Sequence, residues 1–136
     1  MEKDVLHIKR PLFQAMITHL QANDPLEACG ILAGVNNQVT HLYAIDNVLA
    51  SPVAYEMDPQ QQLQAMIDLE EHGWEMVAIF HSHPTGPEQP SPTDVAQAYY
   101  PECVYIIASL VNQEQPVVRG FRIENSRYDE VALNVQ

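Results

Sequence analysis

Five consecutive apolar residues, Met76-Val77-Ala78-Ile79-Phe80, run without Gly or Pro into His81-Ser82-His83 and stop at Pro84. A run that short and that apolar reads as a buried strand. In an extended chain, residues two apart point to the same side, so the imidazoles of His81 and His83 leave the sheet edge together. Pro84 ends the strand, and a loop rich in Pro and Gly carries the chain to Ser91 and Asp94. Two imidazoles and a carboxylate make three protein ligands. That is the count of a catalytic zinc site, with the fourth position left for water, whereas a structural zinc is normally closed by four ligands.

The 136 residues suffice for a single domain, 1–136, with a core of its own and no disulfide staples. An apolar share of 46% and a charged share of 18% belong to a globular chain rather than a disordered one. Net charge is −12 with no Lys/Arg cluster, which excludes a nucleic-acid surface. The N-terminus, Met1-Glu2-Lys3-Asp4-Val5, has no apolar leader segment and no run approaches a membrane span, so a cytoplasmic protein without membrane association is expected. Cys29 and Cys103 form no C-x-x-C pair and read as free thiols, Cys29 buried within an apolar run.

Taken in order, residues 5–9 suggest a first strand, and Leu12, Phe13, Met16, Ile17 and Leu20 recur at helical spacing behind Pro11. Ala28 to Val35 reads as a buried strand, with Gly30 and Gly34 marking close backbone approach or bends. Asn36-Asn37 turns it into a hairpin with Gln38–Val48. A short strand is suggested at Tyr55-Glu56-Met57, and Asp58-Pro59 opens a helix that Gly73 caps. Ser91 opens a short helix expected to run to about Tyr100, followed by strands over Cys103–Leu110 and Val117–Ile123. Glu130–Val135 adds an edge strand or a last short segment. Strands and helices mix without strict alternation, which predicts an α/β fold: a mixed β-sheet flanked by helices.

Three of the candidate residues have plain structural readings. Ser91-Pro92-Thr93-Asp94 fits a capping box, in which both polar side chains only start a helix. Glu27, at the mouth of a core strand, reads from position alone as a solvated glutamate. The joint pattern weighs against coincidence: two histidines on one face, then a serine and an aspartate fixed on a first helical turn. The remaining histidines, His7, His19, His41 and His72, are isolated in sequence and read as surface or helix-end residues.

His81-x-His83-Pro84, six residues, Ser91, two residues, Asp94 resembles the JAMM signature of the MPN-domain metalloproteases, H-x-H-P-x6-S-x2-D. The upstream Glu27-Ala28-Cys29-Gly30 is similar to that family's glutamate strand, and the likeness extends from about residue 5 to residue 125. The resemblance implies a cytidine-deaminase-like α/β sandwich with one zinc ion per chain, bound by His81, His83 and Asp94. It implies Glu27 as general acid/base and Ser91 as oxyanion stabiliser, and so replaces the solvated reading of Glu27. The implied reaction is hydrolysis of a peptide or isopeptide bond after the Gly-Gly tail of a ubiquitin-like or sulfur-carrier protein. That tail is expected to add as a strand along an exposed sheet edge. The alternative within the resemblance is a non-catalytic MPN scaffold, but such members usually lack metal residues and this chain has them all. A nucleobase deaminase would need H-x-E with P-C-x-x-C. Pro101-Glu102-Cys103, with no second cysteine, does not supply it.

Overall fold

In chain order the elements are β1 (Val5–Ile8), α1 (Arg10–Ala22), β2 (Cys29–Val35), β3 (Gln38–Ile45) and α2 (Pro59–Glu71). They continue with β4 (Glu75–His83), α3 (Pro92–Ala96), β5 (Val104–Ser109), β6 (Val117–Glu124) and β7 (Arg127–Val135). The computed structural model describes residues 4–136, so the first three residues of the N-terminus considered above lie outside it. The run at 76–80 is the middle of β4, which lies between β2, antiparallel to it, and β5, parallel to it. The sheet is therefore mixed, with helices packed on it, as the sequence predicts.

It differs from a sandwich in closing on itself, in the order β1-β3-β2-β4-β5-β6-β7, as a seven-stranded barrel. The segment expected as an edge strand or a last short segment, Glu130–Val135, is instead the C-terminal part of β7. It pairs with β6 on one side and, parallel, with β1 on the other, from Val5↔Ala132 to Ile8↔Val135. The physical reason is burial. Leu6, Ile8 and Val131 are packed in one core cluster with Leu133 and Val135 against it, and an open seam would return that apolar surface to water. A single pair, His7↔Gln38, completes the ring on the β3 side.

Two apolar clusters lie on the two faces of the sheet. On one, Met16 and Leu20 of α1 pack with Leu32, Phe80 and Ile106. On the other, Ala65 and Leu69 of α2 pack with Ile31, Ile79 and Ile107. Along β4 the period of two sends Ala78 and Phe80 toward α1 and Ile79 toward α2. His81 and His83 continue the α2 face. Gly30 permits the crossing of Phe80 over β2: a Cβ there would stand 2.2 Å from Phe80 Cζ and 2.4 Å from the Tyr43 carbonyl oxygen.

Helix ends follow local chemistry. The Asp58 carboxylate accepts from the amides of Gln60 and Gln61, and Gly73 takes the left-handed conformation at φ 72°. The helix begun by Ser91 stops at Ala96, short of Tyr100, because Gln97 leaves the helical region and the Tyr100 amide donates to the Tyr105 hydroxyl. The suggested strand at Tyr55–Met57 reduces to one bridge, Asn47↔Met57. Cys29 and Cys103 are free and buried. Among the described residues, no helix is long and apolar enough to cross a membrane.

Candidate metal centre

The C-terminal end of β4 carries both histidines in mid-sheet, with His81 between Cys29 of β2 and Ile107 of β5. They are 1% and 6% exposed. The loop over residues 84–90 returns over them. Ser109 donates its hydroxyl to the Gly86 carbonyl at 2.8 Å, and His83 Nδ1 lies 2.7 Å from the Pro87 carbonyl. The loop then delivers Ser91 and Asp94 at the start of α3. Both halves of the capping box are present: Asp94 N donates to Ser91 Oγ at 3.0 Å, and Ser91 N donates to Asp94 Oδ2 at 2.8 Å. The cap and the ligand set are thus one construction, because the box that starts the helix also aims the Asp94 carboxylate.

Three candidate ligand side chains converge. His81 Nε2 is 3.1 Å from His83 Nε2 and 3.2 Å from Asp94 Oδ1, and His83 Nε2 is 3.0 Å from Asp94 Oδ2. A tetrahedral zinc with bonds of ~2.0–2.1 Å would set its ligand atoms roughly 3.3–3.4 Å apart, so the spacing suits such an ion. The protonation pattern points the same way. A carbonyl oxygen can only accept, so His83 Nδ1 carries the proton toward Pro87, and in the neutral ring Nε2 is a bare lone pair. That lone pair faces a carboxylate oxygen, a contact that is repulsive until positive charge enters, as a second proton or as a metal ion. His81, His83 and Asp94 fit a zinc ion on this ground.

Glu27 reaches the cluster through strand register. Cys29 pairs with His81, and the next step is held by Ser82 N donating to the Ala28 carbonyl and Ala28 N donating to Ser82 Oγ. Glu27 therefore falls opposite His83. The residue is 5% exposed, and its buried Oε1 has no hydrogen-bond partner among the described residues. Burial pushes its pKa up to about 7, with His83 opposing and Asp94 adding to the rise. Burial also works against charge on Asp94, but hydrogen bonds from His81 and, once its ring takes up a second proton, from His83 outweigh it and hold the carboxyl well below the usual range. For His83, burial is likewise overcome by Asp94 and the Pro87 carbonyl, so its pKa is raised, whereas burial dominates at His81 and lowers it.

The structure thus brings all five predicted residues to the end of one strand. It also places there a residue that sequence reasoning passed over. Tyr55 stacks on His81 with ring centroids 4.5 Å apart and planes 28° apart. Asn47 builds the segment that delivers it, donating from Nδ2 to the carbonyls of Glu27 and Ala54 and accepting at Oδ1 from the amides of Leu49 and Glu56. Tyr55 also lines a groove of about 580 Å³ with Leu49, Met57, Gln97 and Tyr99. Nothing in the periodicity of residues 49–57 signals these contacts, which join segments far apart in the chain. A larger groove of about 690 Å³ lies between β3 and α2, lined by Tyr43, Asp58, Gln61 and Asp68, and none of the five residues borders it. His41 and His72, read as isolated, stack on Trp74 at 5.3 and 4.4 Å.

The model of prokaryotic homologs of the JAB domain matches residues 9–124, a span that includes Glu27, His81, His83, Ser91 and Asp94. The chain is similar to a CysO-cysteine peptidase from Mycobacterium tuberculosis, 32% identical over 133 residues that cover 96% of this chain and 91% of that protein. It is similar to a desampylase from Pyrococcus furiosus, 32% identical over 120 residues, 88% of this chain and 84% of that one. The solution structure of a protein from Desulfitobacterium hafniense superposes with a TM-score of 0.87 at 33% identity, covering 96% of this chain and 92% of that chain.

Proposed function

Because the chain belongs to the family of prokaryotic homologs of the JAB domain, we propose that it is a zinc-dependent peptidase or isopeptidase acting after the Gly-Gly tail of a ubiquitin-like or sulfur-carrier protein. The observation that carries this reading is the convergence of His81, His83 and Asp94 beside a buried, unpartnered Glu27 carboxyl. The substrate class draws on the relatives, one named a CysO-cysteine peptidase and another a desampylase. The same reading takes residues 1–136 as one domain of cytidine-deaminase-like kinship, acting in the cytoplasm, where the two cysteines stay thiols.

His81 Nε2, His83 Nε2 and Asp94 are the atoms that would hold the zinc ion. When bound, zinc supplies Lewis acidity and brings the pKa of a coordinated water to about 7. Glu27, with a pKa near 7, is matched to take a proton at neutral pH and return it to the leaving amine. Ser91 Oγ uses a lone pair to cap α3, which leaves its O–H free to donate to the oxygen on which negative charge develops. The Pro87 carbonyl fixes the tautomer and direction of His83.

Elemental analysis of the purified protein and of Asp94→Ala is the first test. One zinc per wild-type chain and almost none in the variant is the expected result, followed by release of material fused after Gly-Gly tails, read by mass spectrometry. A wild-type protein that takes up no zinc on reconstitution would end the metallopeptidase reading.

A further inference from the structure

The two histidines of the centre are held by different means. His83 is fixed through its second nitrogen, which donates to the Pro87 carbonyl at 2.7 Å. His81 Nδ1 is buried and has no hydrogen-bond partner among the described residues. A metal-ligating histidine ordinarily donates from its second nitrogen to a carbonyl or carboxylate, and that bond sets the ring orientation. His81 lacks it. Nor does intrinsic preference supply the constraint, because the torsion that turns an imidazole about its Cβ–Cγ bond is broad and roughly two-fold.

What lies against His81 is the flat face of Tyr55, 4.5 Å away and 28° from parallel, while the His83 ring meets it at 66°. A ring wall of this kind restricts rotation of the imidazole and leaves its in-plane nitrogens unobstructed. Tyr55 is itself anchored on both sides. Asn47 Nδ2 donates to the Ala54 carbonyl just before it, and Met57 just after it bridges Asn47 and leads into the Asp58 cap.

We propose that Tyr55 is the positioning residue of His81: its ring face takes the place of the missing hydrogen bond and sets the direction in which Nε2 meets the metal. The inference rests on the zinc reading above. The requirement is for an aromatic face, not for the phenol.

The test compares Tyr55→Phe, Tyr55→Leu and Tyr55→Met by zinc affinity, measured in competition with a chromophoric chelator, and by the visible spectrum of the cobalt-substituted protein. Tyr55→Phe should match wild type in both. Tyr55→Leu and Tyr55→Met should bind zinc about 10–100-fold more weakly, the usual range for loss of an orienting partner, with altered cobalt bands. The metal-free melting curves establish that these variants are folded, and Tyr55→Met secures the comparison should Tyr55→Leu unfold. Equal affinity and an unchanged spectrum in the ringless variants would overturn the inference and leave the zinc reading standing. So would a loss in Tyr55→Phe as large as in Tyr55→Leu, since the hydroxyl would then be what matters. A wild type that binds neither metal would overturn both.

Discussion

Replacing Glu27 with Gln separates stability from chemistry. Glu27 is a buried residue, and burial raises its carboxyl pKa from the ordinary 4.5 to about 7. The folded chain therefore keeps this proton over a range in which the unfolded chain has lost it. The stability it contributes is full below pH 4.5 and falls as pH rises to about 7. Above that, the native protein carries an ionised carboxylate away from water. At ~1.4 kcal/mol per pH unit the displacement is worth ~3 kcal/mol, and solvent screening at the mouth of the site reduces it to about 2 kcal/mol. Glutamine has nearly the same shape and no charge to bury. Metal-free Glu27→Gln should therefore exceed wild type at about pH 8 by ~2 kcal/mol, roughly 6–10 °C in Tm, and equal it at about pH 4. Peptidase turnover should fall by about 10²–10⁴ while zinc is retained. Calorimetry in chelator at both pH values, with a rate measurement beside it, decides the matter. A stability difference that ignores pH, or turnover that survives, would refute the reasoning.

Asp94 carries the opposite sign. Its carboxyl is held below the ordinary 3.8, so its contribution is full at neutral pH and is lost as pH falls below that value. Metal-free Asp94→Ala should then show a shallower acid-unfolding limb than wild type by circular dichroism. Gly30→Ala would drive a Cβ into Phe80 and the Tyr43 carbonyl, and the urea midpoint should report a loss of about 1–3 kcal/mol. Ser91→Ala and Asp58→Ala each remove a helix cap worth about 1 kcal/mol. Their melting temperatures should fall alike, but Ser91→Ala should lower kcat far more, because Ser91 stands in the site itself and the Asp58 cap reaches it only through the segment that carries Tyr55.

The His81-His83-Asp94 cluster was legible because its information is local. His81 and His83 share a face by strand periodicity, and Asp94 follows Ser91 at capping-box spacing, so a few residues of sequence fix each placement. The hairpin at Asn36-Asn37 and the stop at Gly73 were legible for the same reason: both asparagines and the glycine take positive φ. Closure of the sheet was not, since the apolar alternation of Val131 and Leu133 suits an edge strand as well as an inner one. Whether β1 lies beside it depends on residues at the other end of the chain. The stack of Tyr55 on His81 escaped for a related reason. Its segment has no period, and Asn47 shapes it through hydrogen bonds whose partners, Glu27 among them, carry no local signature. Helix α3 ended early through a tertiary contact to Tyr105, which helix propensity over residues 92–100 does not register.

The seam between β1 and β7 also fixes an order of events during synthesis. A nascent chain makes Val5–Ile8 well before their long partner, Arg127–Val135. In the interval, β1 has the one pair with Gln38 to rest on. The strands that carry Glu27, His81 and His83 into register need nothing beyond β5 and can zip together well before that. The His81-His83-Asp94 cluster can thus assemble before β7 is made, while cooperative stability waits for that later strand. Contacts joining such distant residues are the slow ones to form. Loss of the last strand would therefore leave a nearly complete cluster in a protein whose first strand keeps only its single pair with β3.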